Sequence, residues 1–446
     1  MKLQIGQIPL LNQIIGTCNG KFRLNTRSLD AVKKLYLQAY FFVMALYVFF
    51  NKGIAYSFLA EAIWVGGFIV LFLTRKNYAF GWDKRTKILV FFLVISVAYI
   101  GWGVRAYPIF DVIRDSFVIQ YAWFAFFMFL FKDLRVQLWG YIILIYTWFP
   151  FFAFLNFYFQ NFSEFFENFI LFGTVPFALY KYGDMGVHLL ISTLVLILYL
   201  NHRSIRFQVT LAVAILLNLL IITAYSRSGM LSYLIGLGLF AYFTKQEFVR
   251  RQLKQYVRFL PIILLIVLPL YASIKVKDNF QGRKVGLEQV VENVGSIFGV
   301  GKDVTLEDNK IWRLVWWANI LDYSVSPEFV LQGKGLGMSL AESDIITTDS
   351  EDLRSPHNFN LTMLARFGWP LFLLWSYWLF CLFKPMFKRK LTDQQLMISC
   401  VLFTFWLNGS FDVFLEGPMG AFPFWTWVGL YFIVDFFPET PEVIED

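Results

Sequence analysis

A chain of 446 residues that is 58% hydrophobic and 20% aromatic, with only 16% charged residues and 53 Phe, cannot cover itself with a water-compatible surface, which excludes a soluble domain and predicts a polytopic membrane protein. The formal net charge of +8 does not point to nucleic acid, because Lys and Arg gather in short clusters beside apolar runs, where the positive-inside bias accounts for them. The cysteines, Cys18, Cys381 and Cys400, fall in cytoplasmic or membrane stretches of the topology below, so neither a disulfide framework nor a Cys-rich metal site is implied.

In chain order, residues 1–34 lack the continuous apolar core and small-residue cleavage site of a signal peptide and are read as a cytoplasmic segment. Within it, 3–15 fits either an amphipathic helix on the inner surface or a disordered leader. Apolar runs long enough to cross a bilayer follow at 35–50, 54–73, 88–104, 116–131, 136–157, 187–200, 208–224, 228–243, 259–274, 359–383, 393–410 and 419–436, of which 187–200 is short and 359–383 long. The basic clusters Lys2 to Lys34, Arg75 to Lys87, Lys132 with Arg135, Arg203 with Arg206, Lys245 to Arg258 and Lys384 to Lys390 all land on one side of these runs, which is then the cytoplasm. The expected fold is an all-α polytopic bundle of about 12 transmembrane helices in a single integral membrane domain, 1–446. Both termini are placed in the cytoplasm, with a solvated acidic tail at 437–446. One large, partly helical periplasmic loop, 275–358, separates spans 9 and 10 and is expected to carry much of the chemistry.

Three positions on the predicted outer side stand out, because a charge at the membrane rim is costly and needs a partner. Arg227, in Tyr225-Ser226-Arg227-Ser228-Gly229, occupies the tight outer turn between spans 7 and 8. A guanidinium cannot shed its charge, so it snorkels to lipid headgroups or binds an anion, and its planar fork matches phosphate oxygens. Arg313 lies in a Trp-rich segment, Ile311 to Leu321, whose helical spacing groups Trp312, Trp316 and Asn319 on one stripe and Arg313, Trp317 and Ile320 on the next. That pattern suits either an interfacial helix pairing with headgroups or a second cation over a phosphate, with aromatics that accept sugar rings. His357, in Ser355-Pro356-His357-Asn358, precedes span 10 at a predicted helix start, where the dipole lowers the imidazole pKa and favours the neutral form that serves as a base. Arg366, further into the same helix, is expected to line a cavity or pair with an acid.

The loop's acids, from Asp278 and Glu288 through Asp344 to Asp349 and Asp352, form no compact metal-ligating set, so the expectation is metal-independent chemistry with no cofactor. Gly333-Lys334-Gly335-Leu336-Gly337 lacks the strand-to-helix context and the Lys-Ser/Thr end of a phosphate loop and reads as a tight turn.

In this order, Ser226-Arg227-Ser228-Gly229 at an outer turn, Arg313 and Trp317 on a helix, the Gly-Lys-Gly-Leu-Gly turn, and His357-Asn358 with Leu361, Leu364 and Gly368 resemble the O-antigen ligase and O-antigen polymerase superfamily of bacterial inner-membrane glycosyltransferases. The similarity is best over about 208–385; the first six spans match only in hydropathy and number. The resemblance implies an undecaprenyl-diphosphate-linked glycan donor used on the periplasmic face, with Arg227 and Arg313 binding the diphosphate and His357 as base or acceptor-orienting group. Ser226, Asn358, Arg366 and Trp317 are the candidates for supporting roles. Polymerase and ligase differ in acceptor, a lipid-linked glycan or the lipid A core. No single residue separates them; Phe richness favours the polymerase, with a chain-length regulator as a conceivable partner beside the membrane lipids. A protein-glycosylating member is a further alternative. The rival class is a twelve-span transporter or lipid-linked sugar flippase, which repeated halves and ionisable groups at the midplane would favour; the halves here look dissimilar.

Overall fold

In a computed structural model, residues 26–75, 78, 81–274, 286–297, 304–344, 354–388 and 391–437 are described. The 3–15 segment, Cys18, the acidic tail beyond residue 437, and Asp278, Asp303, Asp349 and Asp352 of the large loop lie outside them.

The regular secondary structure of the described residues is entirely helical, without a strand. Among the described residues, eight helices are long and apolar enough to cross a membrane, and a ninth apolar helix, Leu59–Thr74, is shorter. With Phe42, Phe110, Val136, Tyr242 and Leu265 all exposed on the outside of the bundle, the chain is a multi-pass membrane protein. The expected run at 116–131 is not one helix: Ile109–Gln120 stops, and Trp123–Phe127 and the 3-10 turn Met128–Leu134 continue the path as a buried aromatic segment.

The run that looked too short in sequence is the centre of the molecule. Helix Tyr182–Tyr199 is almost wholly buried and packs against Arg135–Phe162, Ile205–Tyr225, Arg227–Phe243 and Asp393–Gly409. A helix surrounded by protein needs less apolar length than one facing lipid, and it needs small residues where its neighbours approach. A Cβ on Gly186 would meet the Gly229 carbonyl oxygen at 2.3 Å, and one on Gly236 would meet Thr404 Oγ1 at 2.2 Å.

The run that looked too long is a broken helix. Phe359–Lys388 contains Gly368 at φ 71° and ψ −179°, followed by Pro370, which removes a donor and clashes with the carbonyl four residues back. That carbonyl, of Arg366, accepts instead from Gly335 N–H at 2.9 Å, while Lys334 N–H donates to the Ala365 carbonyl at 2.8 Å and Trp369 N–H to the Val330 carbonyl at 2.9 Å. The Gly333 to Gly337 segment is therefore a turn docked into the helix break, with all three glycines at positive φ.

Loops converge at the end of the bundle that carries the 275–358 segment. Asn51 reaches residues 181 and 184, Tyr107 reaches Met338, and helix Leu287–Ile297 is pinned by Asn293 Nδ2, which donates to the carbonyls of Thr223 and Ala224 at 2.8 and 2.7 Å. Helix Val304–Ser324 lies over Phe359–Lys388, with Trp316 and Ile320 packed on Leu364 and Ala365. The opposite end is tied by Arg85, which donates to Asp83 at 2.5 Å and to Asp435 at 2.6 Å.

Candidate active site

The geometry is built around the short turn between helices Asp393–Gly409 and Pro418–Phe436. Asn408-Gly409-Ser410-Phe411-Asp412 brings a carboxylate back over the bundle end, where Asp412 Oδ1 takes a hydrogen bond from Val413 N–H at 2.7 Å. The Lys181 ammonium, from the residue just before helix Tyr182–Tyr199, is paired with that same oxygen. His357 Nδ1 stands 3.5 Å from it. His357 has the left-handed φ of 54°, uncommon for a side chain with a Cβ, so the loop rather than the helix sets its direction. The helix begins at Phe359, capped by Asn358, whose Oδ1 accepts from the N–H groups of Asn360 and Leu361 at 3.1 and 3.2 Å.

Helix Val304–Ser324 supplies the opposite wall. Trp312 meets the His357 ring edge-to-face with centroids 5.7 Å apart, and Trp317 Nε1 donates to the Pro356 carbonyl at 2.7 Å, which holds the loop beside the histidine. Arg313 donates from Nη1 to the Phe411 carbonyl at 3.2 Å, next to Asp412 in the chain. Trp316 is not an open platform: it is fully buried, and its Nε1 donates to Asp344 Oδ2 at 2.5 Å.

Ser226 caps helix Arg227–Phe243 by accepting from Gly229 N–H at 3.1 Å. A Cβ on Gly183 would lie 3.1 Å from Ser226 Oγ and 3.5 Å from Asp412 Oδ2, so Gly183 leaves room for the Ser226 turn and the carboxylate side by side. Tyr182 stacks on Tyr225 with centroids 4.1 Å apart and locks this turn to the Lys181 position. Arg227, half-buried, is the first residue of its helix at this turn.

The charges set the protonation. Burial lowers the His357 pKa below the usual histidine value; Asp412 pulls upward, and the fields of Lys181 and Arg313 push down with the burial. Burial is thus the first cause that favours the neutral imidazole expected from sequence. Burial works to raise Asp412, but Lys181 and the contact with His357 outweigh it and hold the carboxyl well below its ordinary range. Lys181 is raised: burial lowers it, and the carboxylates of Asp412 and Asp184 more than compensate. Glu416, in the same turn, accepts from Thr362 Oγ1 at 2.8 Å and is raised by burial despite its hydrogen bonds to Ser355 and Thr362.

Arg366 is not brought against His357. It is buried and ion-paired to Asp115 Oδ2 at 3.0 Å, with Nη1 donating to the carbonyls of Gly335 and Met338 at 3.2 and 3.3 Å; Gly337 N–H and Arg354 also bond to Asp115. It pairs with an acid and organises the docked turn. Lys334, likewise, is spent on Ser343 and Asp344 beneath the Tyr323 ring. Sequence reasoning missed Lys181, Asp412 and Glu416. The available signal was two acids in a short turn between apolar runs, where a charge is costly.

Residues 211–376, the stretch holding Ser226, Arg227, Arg313, Trp317, His357, Asn358 and Arg366, match a protein-family model described as O-antigen ligase. No curated protein matches the chain. Lys181 and Asp412 lie outside the matched stretch. Over that stretch, less than half of its length, the chain is similar to the O-antigen ligase family.

Proposed function

We propose that the protein is a glycosyltransferase that moves a glycan from an undecaprenyl-diphosphate donor to a sugar hydroxyl at the periplasmic face of the bacterial inner membrane. The observation that carries the reading is the meeting of His357 with Asp412, Lys181 and Arg313 at the loop-bearing end of the bundle, in a chain similar to this family. The proposed topology is twelve crossings with both termini cytoplasmic, the eight long helices being supplemented by Leu59–Thr74, Arg227–Phe243, Asp393–Gly409 and the interrupted 109–134 path.

In this mechanism, His357 donates Nδ1–H toward Asp412 and presents unprotonated Nε2 to the acceptor hydroxyl. The acceptor oxygen forms a bond to the anomeric carbon from the face opposite the phosphate, the carbon–oxygen bond to the diphosphate breaks, and the hydroxyl proton passes to Nε2. The anomeric centre inverts, and undecaprenyl diphosphate leaves with the bonding electron pair. Arg227 and Arg313 bind the diphosphate and stabilise the charge that develops on it, so the step is proposed to run without metal. Ser226 and Asn358 act as helix caps that hold the arginine and histidine turns, and Trp317 holds the His357 loop through Pro356.

The acceptor divides the reading. The description of the matched family favours ligation to lipid A core, and the Phe-rich composition that favoured polymerisation carries no mechanism. The deciding experiment is incubation of the purified protein with undecaprenyl-diphosphate-linked glycan in EDTA, with and without lipid A core. A shifted core band identifies the ligase, a ladder formed without core identifies the polymerase, with room for a chain-length regulator, and neither product from a folded preparation with its cognate glycan overturns glycan transfer.

A further inference from the structure

Asp412 serves two side chains through one oxygen, which also accepts from Val413 N–H at 2.7 Å. Its Oδ1 is paired with the Lys181 ammonium and faces His357 Nδ1 at 3.5 Å. Lys181 is held in place from below: its backbone N–H donates to Asn51 Oδ1 at 3.3 Å, and the Asn51 amide donates to Asp184 Oδ2 at 3.4 Å. Asp184 is fully buried, and its other oxygen accepts from Asn408 Nδ2 at 3.3 Å. The 51–54 turn, the start of the central helix and the end of helix Asp393–Gly409 thus cooperate to place one ammonium beside two carboxylates.

A carboxylate this close to an imidazole ordinarily stabilises the imidazolium and so removes the base. A cation on the same oxygen cancels much of that pull. We propose that Lys181 is a positioning residue that neutralises Asp412, so that the carboxylate orients the His357 ring without holding it protonated. The usefulness of a neutral ring rests on the transferase reading; the charge arrangement itself is measurable without substrate. The charged groups that act on His357 are Asp412 from the 410–417 turn, Lys181 at the start of the central helix and Arg313 from helix Val304–Ser324, while Asp184 and Glu416 share the field of Lys181. Burial is the first cause that lowers His357; Asp412 acts upward on the ring, and Lys181 opposes it.

The chain has three histidines, His188, His202 and His357, so ¹³C-histidine NMR of the full-length protein in nanodiscs resolves them, with single His→Gln variants for assignment. Lys181→Met is expected to raise the His357 titration midpoint by about one unit or more, a tenfold or greater gain in proton affinity, and Lys181→Arg to keep it near wild type. Asp412→Asn is expected to lower it. The acidic limb of the kcat/KM profile moves up with the midpoint in Lys181→Met, which a merely structural lysine would not cause. An unchanged His357 midpoint in Lys181→Met, with the His188 and His202 signals intact, overturns the proposal. Should that variant fail to fold, a midpoint that does not fall in Asp412→Asn overturns it equally. Because the titration needs no donor, a wild-type protein that titrates as expected yet transfers nothing refutes the transferase reading alone.

Discussion

At the scale of single residues, the proposed chemistry depends on a histidine kept neutral and cations kept charged. Burial lowers the His357 pKa, so the unprotonated form predominates near neutrality. Transfer is expected to be independent of pH above the usual histidine value of about 6.5 and to fall only as pH drops through the lower midpoint of the folded protein, which a kcat/KM profile measures. His357→Gln is expected to cost about 100-fold or more in kcat with donor binding retained, as read by a single-turnover assay beside a lipid-binding measurement. Arg313→Ala and Arg227→Ala should instead weaken donor use, by about 10- to 1,000-fold in kcat/KM. Wild-type transfer by all three properly inserted variants would sink the site assignment. Of these residues, sequence exposed the arginines and the histidine because charge at an apolar rim is costly wherever it occurs. Asp412 and Lys181 were harder to see, because each is unremarkable until the other is beside it.

At the scale of elements, two helices of unusual apolar length explain how the site is placed. The 182–199 run is short because protein surrounds it, and length criteria derived for lipid-facing helices do not apply to a buried one. The 359–383 run is long because a Gly368 break lets its first two turns belong to the loop-bearing end, where they carry Asn358, Asn360 and Thr362 toward the 410–417 turn. Gly368→Ala is expected to destabilise the fold. The left-handed φ costs a Cβ-bearing residue about 1–2 kcal/mol, and the new atom would meet the Leu331 carbonyl carbon at 2.8 Å. Arg366→Met leaves the buried Asp115 carboxylate without its nearest cation, a loss of about 3–5 kcal/mol, and should lower the thermal midpoint more than the conservative Arg366→Lys. Differential scanning fluorimetry checks both; an Arg366→Met protein as stable as wild type would argue against the hub. The Gly-Trp-Pro sequence at 368–370 announced the break, but nothing local announced that the 330–335 segment would fill it.

At the scale of the whole molecule, the proposed topology places the 275–358 loop outside and the Arg203 turn inside. Glu328→Cys is expected to react with a membrane-impermeant thiol reagent added to intact cells, and His202→Cys only after permeabilisation, against a background in which Cys400 is buried. Labelling of both from outside would overturn the orientation. Sequence alone determined the class and the all-helical architecture and pointed to the family, because membrane burial demands long apolar runs and the distinctive motifs fall in one stretch, 211–376. It also picked out His357 and Arg313, since isolated polar residues are conspicuous against an apolar background. Only the tertiary structure decided that Lys181, Asp412 and His357 share one carboxylate oxygen, and that Arg366 belongs to a separate ion pair with Asp115. The physical reason is distance along the chain: hydropathy is a local property, whereas the field at His357 is summed over groups that come together only when the central helix and the 410–417 turn close over the same end of the bundle.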